Sequence, residues 1–125
     1  MAERGMTDTG HTEQVGRLSV VAAATDGIRV LTVAGEIDHH TGDQLRDALD
    51  TTGTARPRVV IDMHQVTFMD SSGINILITV YQDVTAAGGW LRLAAPTDSV
   101  QRVLQLVGAD TLIDCHPTLR EALVP

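Results

Sequence analysis

The chain has 125 residues and a formal net charge of −7, and its nine basic residues are all arginine. The absence of lysine excludes P-loop, Schiff-base and lysine-base chemistry, and the acidic balance argues against nucleic-acid binding, which needs a clustered basic footprint. A single cysteine, Cys115, excludes an internal disulfide or a multi-cysteine metal site; no apolar stretch has signal-peptide or membrane-spanning length, which predicts one cytoplasmic, non-membrane domain.

Residues 1 to 15 are polar and aperiodic and predict a mobile tail, with the domain occupying 16–125. In "RLSVVAAATDGIRVLTVAGE" two apolar runs flank Asp26-Gly27, a pair that tolerates positive φ at both positions and so predicts a two-residue hairpin. Helical spacing follows, with Leu45, Ala48 and Leu49 on one face and Gly53 as the stop. The β-branched run over 56–63, "RPRVVIDM", predicts a buried strand, with "FMDSSG" one loop later. A helix is expected from Ser72 to about Ala87, with Ile74, Leu77, Ile78 and Tyr81 inward and Gly88-Gly89 as terminator. "WLRLAA" reads as the next strand. Thr97 or Asp98 then caps a helix with Val100, Val103, Leu104 and Val107 inward, ended by Gly108. "TLIDCH" is a last strand, and Thr118 to Glu121 matches a capping box opening a short helix. The order β-β-α-β-α-β-α-β-α predicts an α/β fold with a mixed, mostly parallel sheet and flanking helices.

The loops after parallel strands converge at their carboxyl ends, where sites of open α/β sheets collect, and the Asp70-Ser71-Ser72-Gly73 cluster belongs to one of them. Three roles suit it. Asp70 or Ser71 caps the following helix; or Ser71 or Ser72 is a nucleophile with His39, His40, His64 or His116 as base; or a serine is modified by another protein. The nucleophile reading lacks the G-x-S-x-G elbow. His39-His40 as metal ligands is disfavoured because neighbouring side chains splay apart. A receiver domain with Asp62 as phosphate acceptor lacks its lysine. No catalytic residue, metal or cofactor is therefore assigned. On the helix after the cluster, Ile76 and Val80 fall outside the inward face and suggest either a partner patch or packing beneath a neighbouring loop.

"AGEIDHHTGDQLRDAL", "VVIDMHQVTFMDSSGINIL" and the element order together resemble the anti-sigma factor antagonists of the STAS domain family, particularly the sporulation type, over about residues 17 to 123. The resemblance implies a non-enzymatic protein that binds an anti-sigma factor with serine kinase activity and thereby frees a sigma factor. Phosphorylation by that kinase inactivates it, and a serine phosphatase restores it. Contact with the sigma factor is only indirect, and contact with nucleic acid or membrane is not implied. Carried over by position, Ser71 is the phosphoacceptor and Asp38, in a surface loop, is the acidic residue near it. The partner surface is expected to comprise Asp38, Asp70, Ser71, Ser72, Gly73, Asn75, Ile76 and Val80. Asn75 departs from the pattern, since the family often has glycine there. The alternative within the same family is an interaction module of a stress-signalling complex or a lipid-transport system.

Overall fold

The computed structural model describes residues 11–15 and 18–124. Its strands are β1 (His11–Val15), β2 (Leu18–Thr25), β3 (Ile28–Ile37), β4 (Arg58–Met69), β5 (Trp90–Ala94) and β6 (Asp114–His116). The helices are α1 (Gly42–Ala48), α2 (Ser71–Ala86), α3 (Asp98–Val107) and α4 (Leu119–Ala122), with a short 3-10 turn at Ala109–Thr111. The strands form one sheet in the order β1-β2-β3-β4-β5-β6. β1 and β2, and β2 and β3, pair antiparallel, while β3 to β6 run parallel. The predicted β-β-α-β-α-β-α-β-α order is the stretch from β2 to α4. β1 corrects the expected tail, because His11–Val15 pairs residue for residue with β2; residues 1–10 lie outside the described residues.

The β2–β3 hairpin turns on Asp26 (φ 53°) and Gly27 (φ 79°), the positive values a primed turn requires. After each of β3, β4 and β5 a helix returns the chain to the next parallel strand. Because right-handed crossovers between sequential neighbours place their helices on one side, α1, α2 and α3 cover the same sheet face. The main core lies between them: Leu31, Val33, Ile61, Met63 and Leu93 from the sheet meet Leu45, Leu77 and Leu104 from the helices. On the opposite face, Ile28, Val30, Val60 and Ala94 pack with Ala122 of α4. Arg92 fastens α4 there, donating to the carbonyls of Ala122 (2.9 Å) and Val124 (2.6 Å) with its guanidinium 3.8 Å from the Trp90 ring centroid. Cys115 is half-buried against the main core, and burial, aided by Asp110 and Asp114, pushes its thiol pKa up. A thiol so placed stays protonated and unreactive at neutral pH.

The structure revises the expectations for α1, β4 and α3, and β6 is only Asp114–His116 because Ala109–Thr111 forms the 3-10 turn. α1 stops at Ala48 rather than near Gly53, because the Asp50 carboxylate takes the Thr52 N–H (2.9 Å) and draws the chain into a turn. β4 continues through Met69 instead of ending at Met63, so no loop separates it from the cluster. Its polar residues His64, Gln65 and Thr67 hide the strand in the sequence. The register shifts against β3 then let Val66 and Met69 point inward, where alternation alone would not put both. In α3 only Val100 and Leu104 of the expected inner face are fully buried. Val107 is 57% exposed, since Gly108 (φ 75°) turns the chain and Ala109 and Ile113 fill the core beyond it.

Candidate functional site

The parallel pairing of β3 with β4 ends at Ile37 opposite Met69, and the Asp70 N–H donates to the Ile37 carbonyl at 3.1 Å. The loop after β3 and the start of α2 are therefore neighbours by construction. Asp70 is extended (φ −107°, ψ −169°), and its carboxylate accepts the Ser72 N–H at 2.8 Å. That makes Asp70 the helix cap and Ser71 the first helical residue.

Ser71 is exposed, and its hydroxyl makes no hydrogen bond among the described residues. Ser72 is half-buried beside it. Asn75, one turn further on, is exposed on the same side of α2. Gly73 is buried, and a Cβ there would lie 2.5 Å from Met69 Cγ and 2.8 Å from Ile37 Cγ2. Its smallness seats the helix start against the two strand ends.

The expected docking stripe on α2 is also corrected. Val80 is 5% exposed and belongs to the main core, and Ile76 packs against it from the side of α1, its Cδ1 close to Gly42. The buried face of α2 is Ile74, Leu77, Val80 and Val84, with Ile76, Ile78 and Tyr81 half-buried at its margins. The second apolar stripe exists because two neighbours, the sheet and α1, share this helix.

Asp38 likewise departs from expectation: it is 7% exposed rather than on a surface loop. One carboxylate oxygen accepts the N–H groups of His40 (2.9 Å) and Thr41 (3.1 Å), while the Thr41 hydroxyl donates to the Glu36 carbonyl at 2.8 Å. This knot fixes the loop that carries His39 and His40, whose exposed rings lie 3.9 Å apart. Asp38 therefore sets the shape of this loop. Asp38→Ala is expected to cost about 1 to 2 kcal/mol, because two loop N–H groups lose their acceptor. Asp38→Asn keeps an acceptor oxygen and is expected to lose less. Chemical denaturation of the pair checks this, and equal stability of Asp38→Ala and wild type would contradict it.

His64 is held away from the serines, its Nδ1 at 2.8 Å from the Asp62 carboxylate. Among the described residues no three His, Cys, Asp or Glu side chains converge as metal ligands. A cavity of about 580 Å³ lies between α1, the 50–54 turn and the later turns of α2, and excludes Ser71. A small-molecule site is usually such a concavity, and Ser71 is exposed outside this one. Phe68 is the residue that sequence reasoning missed. It is 46% exposed, close before Ser71 in the chain; the available signal was that it is the chain's single phenylalanine, placed between the inward Val66 and Met69.

Known proteins share this sequence family and fold. A model of the STAS domain matches residues 19–122. An anti-sigma F factor antagonist from Paenibacillus polymyxa is 30% identical over 84 residues, 66% of this chain and 72% of the relative. The crystal structure of an anti-sigma factor antagonist from Mycobacterium paratuberculosis superposes with a TM-score of 0.77 at 31% identity, over 85% of this chain and 91% of that one. The anti-sigma factor antagonist SpoIIAA in its unphosphorylated form gives a TM-score of 0.64 at 25% identity, over 92% and 93%. Among the described residues no helix is long and apolar enough to cross a membrane.

Proposed function

The chain belongs to the STAS domain family, and from that premise we propose that it is an anti-sigma factor antagonist switched by phosphorylation of Ser71. Unmodified, it binds an anti-sigma factor that is also a serine kinase and so releases a sigma factor it does not itself touch. The kinase then phosphorylates Ser71, the complex dissociates, and a serine phosphatase resets the cycle. The chain contributes no catalysis, metal or cofactor. The observation that carries this reading is an exposed, unengaged Ser71 hydroxyl at the first helical position, directly after the capping Asp70. The names of the relatives support the antagonist role, and a relative described in an unphosphorylated form supports a phosphorylated counterpart.

The physics of the switch is local. A phosphate adds about −1.5 to −2 charges and considerable volume. The fold tolerates it, because a helix N-terminus favours an anion. An interface centred on that oxygen does not, since the charge is desolvated against a partner built for a neutral hydroxyl. A penalty of about 3 to 4 kcal/mol weakens binding several hundredfold. Titration calorimetry of the anti-sigma factor with the unmodified and the phosphorylated chain tests this, with tight binding expected only for the former. Equal affinities would refute the switch.

A further inference from the structure

The first turns of α3 and the end of β4 enclose a groove of about 320 Å³ lined by Phe68, Met69, Asp98, Ser99, Arg102 and Val103. Phe68 forms an exposed aromatic wall, and Met69 and Val103 supply an apolar floor. Arg102 is exposed and makes no ion pair or hydrogen bond among the described residues. An aromatic side chain loses favourable burial whenever it is left in water, and among the described residues no element covers Phe68.

We propose that this groove is the anchoring half of the kinase interface, receiving an apolar side chain of the kinase against Phe68 with a neighbouring kinase carboxylate on Arg102. The inference rests on the reading of Ser71 given above and extends it from the phosphorylated atom to the surface that holds the enzyme.

Distance and area select the occupant. At about 3.3 to 3.6 Å per residue, Phe68 lies within roughly 11 Å of Ser71 along the chain. A stable interface covers about 800 Å² on each partner, a disc of roughly 16 Å radius. A kinase seated over Ser71 with an ordinary footprint therefore reaches the groove. Exposed aromatic and arginine side chains are also the types that dominate binding energy at such interfaces. The outer face of α2 offers the exposed polar residues Asn75, Thr79 and Gln82, which supply a rim rather than an anchor.

The test uses the full-length chain, its anti-sigma kinase and ATP, comparing wild type with Phe68→Ala and Arg102→Glu. Phe68→Ala is expected to weaken kinase binding about 10- to 100-fold and Arg102→Glu about 3- to 10-fold. Neither should shift the thermal midpoint by more than a few degrees, and phosphate should still appear on Ser71 at saturating kinase. Wild type that is bound and phosphorylated, with both variants within twofold of its affinity, overturns the groove and leaves the function standing. Wild type that neither binds the kinase nor accepts phosphate overturns both. Should Phe68→Ala lose stability, Arg102→Glu decides alone, because its side chain lies on the surface: unchanged affinity there rejects the proposal.

Discussion

Ser71→Asp is expected to bind the anti-sigma factor about 10- to 100-fold more weakly than wild type while unfolding at nearly the same temperature. The aspartate carries less charge and volume than a phosphoserine, so its effect should fall below that of the modification itself. Stability is spared because Ser71 is exposed and opens α2, where an acidic side chain interacts favourably with the free N–H groups of the first turn. Ser71→Ala removes only a hydroxyl that makes no hydrogen bond among the described residues, so binding should persist while phosphate incorporation is lost. Ser72 is the informative control. Its backbone N–H is held by Asp70 and its side chain is half-buried, so Ser72→Ala should leave phosphate incorporation near wild type. Wild-type affinity in Ser71→Asp, or loss of phosphate only in Ser72→Ala, would move the switch elsewhere.

Val80→Ser is expected to destabilise the domain by about 2 to 4 kcal/mol, combining lost apolar contacts, a residual cavity and a hydroxyl buried without a designed partner. For a domain of this size that lowers the thermal midpoint on the order of 10 °C. Val80 is 5% exposed in the main core, and Ile76 packs toward α1 beside it, so serine at both positions should loosen α1 from α2 as well. Binding measured below the new transition should be little changed, because Val80 is buried and Ile76 is half-buried against α1. Thermal unfolding with calorimetric titration on the double variant separates the two possibilities. Intact stability with weakened binding would restore these residues to a docking face.

Where a single residue type meets a local conformational demand, the sequence is directly readable. Asp26-Gly27 adopts the positive φ values its chemistry allows, Gly108 ends α3 in the left-handed region, and the Thr118 hydroxyl takes the Glu121 N–H at 3.1 Å as a capping box implies. Features set by a second element are not readable from one segment. The last part of β4 looks like a loop because its polar residues are tolerated only through pairing with β3 and the accompanying register shifts. The strand His11–Val15 is polar, and backbone pairing with β2, rather than an apolar pattern, defines it. Ile76 and Val80 look surplus to one inward face until α1 supplies a second. At the site, the cap role of Asp70 and the helix start were legible to within one residue. The burial of Asp38 was not, because an aspartate in a Gly- and Thr-rich segment reads as surface unless Thr41 and the loop N–H groups are seen closing on it.

The most direct measurement is phosphate mapping by mass spectrometry after incubating the full-length chain with its anti-sigma kinase and ATP. The expected result is one phosphate per chain, on the peptide containing "FMDSSG" and localised to Ser71 by fragmentation. Phosphate confined to another residue, or a chain that forms the complex yet remains unmodified, would contradict phosphorylation of Ser71 as the switch.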